Sequence, residues 1–310
     1  MWKKKNKTAA ACLSLASAAV CLMLGGCGGM GAPKGYTDYT VEKQQYVDEY
    51  TEQYDYWDVI TIEYPVLSGI EGEQIEEINK TLYDTAMEMA NYWHFTPDET
   101  VKEIQEEYSI YCSDVSCDVD FHSQYLISVG FHEAYAPISP VYYTRMTRRS
   151  VTINLMTGEQ YRLADIFRID DDFMSLWCAQ VEEDGMYDDL VVNDEDTRDT
   201  FRAWFLGEDE ESAEYYMFTP FFYIDENKDF VIGISYDPKP SAFGAGTPKD
   251  NTFYAHFAVA DLEAYRTESE FWELYDKSEN TGEVVDCELT ENIWLGEDAS
   301  VWDFWEEREW

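Results

Sequence analysis

Between residues 71 and 94, apolar side chains recur at Ile75, Ile78, Leu82, Ala86, Met89 and Trp93, in steps of three and four. That spacing lays one apolar stripe along an α-helix. The neighbouring segments follow the other period. Residues 58–64 alternate Ile60, Ile62 and Tyr64 with Val59, Thr61 and Glu63 before Pro65, which is a strand signal. Further strand-like runs at 108–112, 117–121, 125–132, 141–144 and 150–155 read as an antiparallel meander covered on one face by the long helix. A short helix is predicted to begin near Pro97, and others at 163–167, 171–181 and 195–206. Strands return at 217–224 and 230–236 about the polar turn 225–229, then at 253–259, with a short helix from Asp261. Neither the striped helices nor the one-sided strands can bury their apolar faces alone. The chain is therefore predicted to be α+β, with antiparallel sheets packed against amphipathic helices in two intimately associated subregions. These span 55–160 and 161–266, and an acidic, Trp-rich tail occupies 267–310.

Charge narrows the function classes. Among 310 residues, 64 are Asp or Glu and 21 are Lys or Arg, a formal net charge of −43. Nucleic-acid binders need cationic side chains to displace phosphate counterions, and docking on anionic lipid needs them too. Both are excluded as partners. With 45% hydrophobic and 16% aromatic residues, the chain has the means to build a core, which argues against disorder throughout.

Lys3, Lys4, Lys5 and Lys7 precede an apolar, small-residue run over 9–24. This is the layout of a secretory signal peptide, assigned to 1–26. The run ends in Leu24-Gly25-Gly26-Cys27, which resembles the lipobox of bacterial lipoproteins. The resemblance implies a diacylglyceryl group on the Cys27 thiol, cleavage before Cys27, and anchorage on the outer face of the cell membrane. Ordinary secretion and an uncleaved membrane anchor are the other readings, and both also export residues 28–310. Cleavage removes four lysines and no acids, taking the charge from −43 to −47 over 284 residues. Residues 27–54 then read as the lipidated cysteine and a tether that is Gly-rich over 28–35.

Cys112, Cys117, Cys178 and Cys287 remain, an even number with three pairings. Cys112 and Cys117 flank four residues and bridge easily if they face each other across a turn, leaving Cys178 for Cys287. Four free thiols are the alternative. His94, His122, His132 and His256 are scattered with no metal-ligand spacing. Asp225, Asn227 and Asp229 have the one-three-five spacing of a calcium loop, but Phe230 and Tyr236 stand where glycine and glutamate belong. A polar hairpin is expected there. No metal, cofactor or catalytic constellation is assigned. Arg145, Arg148 and Arg149, the one basic island, read as counterions for nearby acids.

Two stretches concentrate acids: 182–214 holds 14 of them, and 267–310 holds 15 interleaved with Trp272, Trp294, Trp302, Trp305 and Trp310. Solvated loops with tryptophans packed on the body are one reading. A docking surface for a cationic protein, anchored by Trp294, Trp302 and Trp305, is another, and stacking on sugar rings a third.

Tyr64-Pro65-Val66-Leu67-Ser68-Gly69, leading into the helix of Ile75, Ile78 and Asn79, resembles the exported domain that precedes the catalytic module of PdaC-type peptidoglycan deacetylases. Ser150-Val151-Thr152-Ile153-Asn154-Leu155-Met156-Thr157-Gly158 with Leu163-Ala164-Asp165-Ile166-Phe167 resembles the strand, turn and helix that follow in that group. Phe222-Tyr223-Ile224, Ala242-Phe243-Gly244-Ala245-Gly246 and Ala260-Asp261-Leu262 resemble its closing strands and glycine loop. The same pair of regions, of the DUF4163 and DUF3298 type, forms the ectodomain of RsiV-type anti-sigma factors, which in that family senses lysozyme. The resemblance covers about 55–266. The deacetylase's catalytic module and the anti-sigma factor's membrane and cytoplasmic segments have no counterpart in the chain. The expectation is a surface-anchored, non-enzymatic binding or sensing lipoprotein for a basic protein such as lysozyme. The alternatives are an accessory or degenerate enzyme of peptidoglycan metabolism and a purely structural envelope lipoprotein.

Overall fold

A computed structural model describes residues 35–49, 59–107, 112–136, 145–184, 195–239, 252–280 and 284–286. The chain enters through β1 (Thr40–Glu49), which pairs antiparallel with β2 (Val59–Ser68) over its whole length. The apolar stripe then forms α1 (Glu73–Ala86), burying Ile75, Ile78, Leu82 and Ala86 on the sheet. Asn79 fastens this helix to β2: its side chain accepts from Leu67 N at 2.8 Å and donates to Leu67 O at 3.1 Å. Those two backbone groups would otherwise lack a partner beside the short β2–β3 pairing.

The stripe is not one regular rod. After Met87 the chain forms α2 (Glu88–Ala90) and a π-helical turn, Asn91–Phe95, which keeps Trp93 fully buried and stacked near Tyr135. The next helix, α3 (Glu99–Glu107), starts as predicted, with Asp98 Oδ1 accepting from Val101 N at 2.8 Å.

The strands β3 (Cys112–His122), β4 (Leu126–Ala136) and β5 (Arg145–Asn154) form an antiparallel meander, with β6 (Gln160–Tyr161) beside β5. Including β10 (Val284–Val285), the sheet runs β10-β1-β2-β3-β4-β5-β6. It is mixed rather than antiparallel throughout. Helices α1 to α3 carry the chain back over the sheet face, so β3 lies parallel to β2, and β10 lies parallel to β1.

Several expectations are corrected. Residues 112–122 form one continuous strand, so no turn brings Cys112 and Cys117 together. Five residues apart along one strand, their Cα atoms are about 16 Å apart. Cys117 is a buried free thiol, and the expected bridge does not form. Cys178 is buried in α5 (Asp171–Glu183). Cys27, Cys287, Trp294, Trp302 and Trp305 lie outside the described residues. The span read as tether contains β1, and the span read as tail contains α7 (Glu270–Lys277) and β10. From that tail, Trp272 is buried and its Nε1 donates to Ile166 O at 3.1 Å.

A second sheet holds β7 (Tyr216–Ile224), β8 (Phe230–Pro238) and β9 (Thr252–Phe257), all antiparallel. One face carries Phe222, Ile224, Phe230, Ile232, Ile234 and Phe253 into an aromatic core with α4 (Leu163–Ile166), α5, α6 (Glu195–Leu206) and α7. Trp177 packs between Phe201 and Phe205 and donates from Nε1 to Ile232 O at 2.9 Å. Its bulk goes to the core while its one polar atom is satisfied. The polar hairpin at 225–229 forms as expected: Asp225 Oδ1 accepts from Asn227 N and Asp229 N, each at 2.8 Å. Lys228, at φ +65°, reaches Tyr275 O and Ser278 O and secures the end of α7.

The other face of the small sheet lies on β4 and β5 through small hydroxyl residues. Ser150 Oγ donates to Phe222 O at 2.6 Å and accepts from Phe222 N at 3.1 Å. Ser235 Oγ does the same for Arg148, donating to O at 3.0 Å and accepting from N at 2.9 Å. Ser128 Oγ accepts from Ile224 N at 3.0 Å. Gly130 admits the close approach: a Cβ there would lie 3.3 Å from the Tyr223 ring. Within the small sheet, a Cβ on Gly233 would lie only 2.5 Å from Phe221 Cζ and Phe253 O and 2.6 Å from Tyr254 Cβ. Gly233→Ala is accordingly expected to cost about 1–3 kcal/mol through overpacking, read as a lower denaturant midpoint. An unchanged midpoint would mean that the small sheet has slack around this position.

Candidate functional site

Strand parity sorts the polar residues of β4 and β5 into two sets. Glu133, Tyr135, Arg145, Thr147 and Arg149 share the α1 side of the sheet, whereas His132, Met146 and Arg148 share the other. On the α1 side the groups are sealed. Arg149 Nη1 lies 2.7 Å from Glu133 Oε2, and Ser113 Oγ donates to Glu133 Oε1 at 2.8 Å. Arg149 also donates from Nε to Thr85 O at 3.3 Å and from Nη2 to Ala86 O at 3.4 Å. A guanidinium thus sits at the C-terminal end of α1, where the helix dipole is negative. Tyr135 and Thr147 donate their hydroxyls to Asp237 at 2.8 and 2.9 Å. Burial pushes the Glu133 carboxyl up, opposed by Arg149 and Ser113. Burial works against the Arg149 charge, but Glu133 and Glu88 outweigh it and its pKa is raised. This layer is structural: its charges face one another.

The opposite side is open. A cleft of ≈ 300 Å³ lies where β9 approaches β3, β4 and β5, lined by Asp114, Ser116, His132, Arg148, Thr252 and Tyr254, with Met146 at the rim, 60% exposed. Arg148 stacks on Tyr254, its Cζ 3.9 Å from the ring centroid, and donates from Nη2 to Tyr254 Oη at 3.0 Å. That contact fixes the guanidinium plane. Across β3 and β4, Ser116 is directly paired with His132. His132 Nε2 lies 2.8 Å from Asp118 Oδ2. The imidazole beside Asp118 holds its carboxyl below the usual range, against burial. Asp114 accepts a hydrogen bond from Thr61. Tyr223, edge-on to His132, is pushed up to about 12 by burial. Burial and the neighbouring Asp118, Glu226 and Asp225 raise Asp120.

The basic island is therefore divided. Arg149 is a buried counterion as expected, Arg145 is buried as well, and Arg148 is turned into the cleft. Of the histidines, His132 lies in the cleft, His122 is buried against Tyr39, and His256 is exposed on β9. Among the described residues, no group of three or more His, Cys, Asp or Glu is placed to hold a metal ion, and no helix is long and apolar enough to cross a membrane. In the sequence Arg145, Arg148 and Arg149 form one island, which hides the cleft. Period-two parity was the signal that separates the middle one from the rest.

No protein-family profile and no curated protein matches the chain. Among solved structures, it is similar to a DUF3298-family protein from Bacteroides fragilis (TM-score 0.44, 8% identity, 78% of this chain and 98% of that one). It is likewise similar to a DUF3298-family protein from Pseudomonas aeruginosa (TM-score 0.42, 10% identity, 76% of this chain and 96% of that one).

Proposed function

We propose that this is a non-enzymatic binding or sensing protein, exported and held by lipid on Cys27 at the outer face of the cell membrane, that engages a cationic protein such as lysozyme. The observation that supports it is the outward side of β3. Asp114, Ser116 and Asp118 alternate there, and Asp120 follows in the irregular step between Asp118 and Phe121, close enough to feel the Asp118 charge, with Ser116 and Asp120 exposed. In a chain of net charge −43, such a face gathers field lines and speeds encounter with a basic partner.

Calorimetric titration with lysozyme in low salt and at about 0.15 M salt tests this reading. Binding is expected to survive the higher salt. It should weaken at least about fivefold in Asp114→Asn/Asp120→Asn, a loss of about 1 kcal/mol, but not in Asp199→Asn on α6. Absence of binding at low salt, or binding that disappears at the higher salt, overturns the specific partnership.

One contact favours a second reading, an accessory enzyme of peptidoglycan metabolism: His132 sits beside Asp118 and opposite Ser116, so a hydroxyl, an imidazole and a carboxylate adjoin. Release of acetate or muropeptides from peptidoglycan, lost in Ser116→Ala, would establish it in place of the first.

A further inference from the structure

The cleft holds a charge arrangement that a generic acidic surface would not. Bases are scarce in this chain, 21 against 64 acids, and Arg149, Arg162, Arg168, Arg202 and Arg266 all have carboxylate partners. Arg148 has none within ion-pair distance among the described residues, although Asp114 lines the same cleft. Asp114 likewise has no cationic partner there, only the Thr61 hydroxyl. Among the described residues, a guanidinium and a carboxylate that each lack an ion-pair contact thus face one small space, with Asp118 near enough to feel the Arg148 charge. The guanidinium is also pre-oriented: Tyr254 holds its face and one Nη2 donor, which leaves other N–H groups of the planar fork for a carboxylate. Holding such a group in place beforehand reduces the ordering cost of binding.

We propose that this cleft binds a small zwitterion, an α-amino acid or short peptide carrying a free amino group and a free carboxylate. The ligand carboxylate lies on the open edge of Arg148, its ammonium lies toward Asp114, and its side chain rests against Tyr254 and Met146. A volume of ≈ 300 Å³ is at the small end of ligand sites, which run from about 300 to 1,000 Å³. This favours one or two residues over a longer segment. A simple cation is disfavoured by Arg148, and a simple anion by Asp114 and Asp118.

Calorimetric titration of the intact protein with alanylalanine tests the assignment, with N-acetyl-alanylalanine and alanylalanine amide as controls. Free alanylalanine is expected to bind in the millimolar range or tighter. Each capped form should bind at least about tenfold more weakly, the loss of one charged contact. Arg148→Met should abolish binding. Ser116→Asp, a change on the exposed wall that leaves the core untouched, should weaken it by repelling the carboxylate. A shift of the His132 ring proton resonances on titration locates the ligand independently of any variant. The proposal is overturned if alanylalanine produces no heat and no His132 shift, if the capped forms bind as well as the free one, or if folded Arg148→Met binds normally. The lysozyme titration fails or succeeds separately: dipeptide binding without lysozyme binding removes only the cationic-protein reading, and the reverse removes only this one.

Discussion

Glu133→Ala is expected to lower the free energy of unfolding by about 3–5 kcal/mol, the usual consequence of leaving a buried charge without its partner. The stranded group is Arg149, which is 3% exposed and 2.7 Å from Glu133, and which would keep only the 3.7 Å approach of its Nε to the exposed carboxylate of Glu88. Ser113 loses its acceptor in the same change. The diagnostic measurement is the pair of variants. In Glu133→Leu/Arg149→Met the uncompensated charge is gone, and apolar replacements of buried ion pairs are often neutral or stabilising. The double variant should therefore be more stable than Glu133→Ala in urea unfolding, short only of the bonds Arg149 makes to Thr85 O and Ala86 O, about 1 kcal/mol. If Glu133→Ala costs less than about 1 kcal/mol, the pair is solvated and gives no more than surface ion pairs do.

The second large effect is a dependence on pH. His94 lies in the π-helical turn with both ring nitrogens shielded from solvent, although other atoms of the residue reach the surface. Burial lowers its pKa to about 3. In the unfolded chain an imidazole titrates near 6.5. Below that pH the unfolded state takes up a proton that the folded state refuses. Stability is therefore lost as pH falls, by about 1.4 kcal/mol per unit between about 6.5 and 3. Many carboxylates titrate across the lower part of that window, so the comparison must isolate the one group. The stability difference between wild type and His94→Gln should shift by about 2 kcal/mol against wild type between pH 7 and pH 5. Parallel curves over that interval would show that the ring is protonated in the folded protein.

What the sequence revealed followed the strength of its periodic signals. The stripe through Ile75, Ile78 and Leu82, the α6 boundaries and the 225–229 hairpin were legible because each rests on contacts within a few residues. β1 was not. Its residues TVEKQQYVDE are largely polar, Val41 alone being deeply buried among those whose burial is described, and what orders them is the ladder to β2. The single long β3 was also missed, because Ser113, Asp114, Ser116 and Asp118 look like a turn in isolation. They are polar there because one face of the strand meets water and Ser113 serves Glu133, 20 residues away. The cleft shares that origin: Tyr254 and Arg148 meet only through the packing of two sheets, a relation that no local pattern encodes.

The pairing of β1 bears on how the molecule resists being pulled. Force transmitted through the chain upstream of Gly35 meets first the bonds of Tyr36 N to Gln124 O and of Tyr39 Oη to Ser123 O, and then Thr40, the first residue of a ladder that continues to Glu49 against β2. Tension along the strand axis loads that whole row of hydrogen bonds in shear, so they must fail together rather than peel one by one. The neighbouring β10, held by two residues and the 3.6 Å contact of Asp286 with Lys43, would detach first and leave this clasp intact.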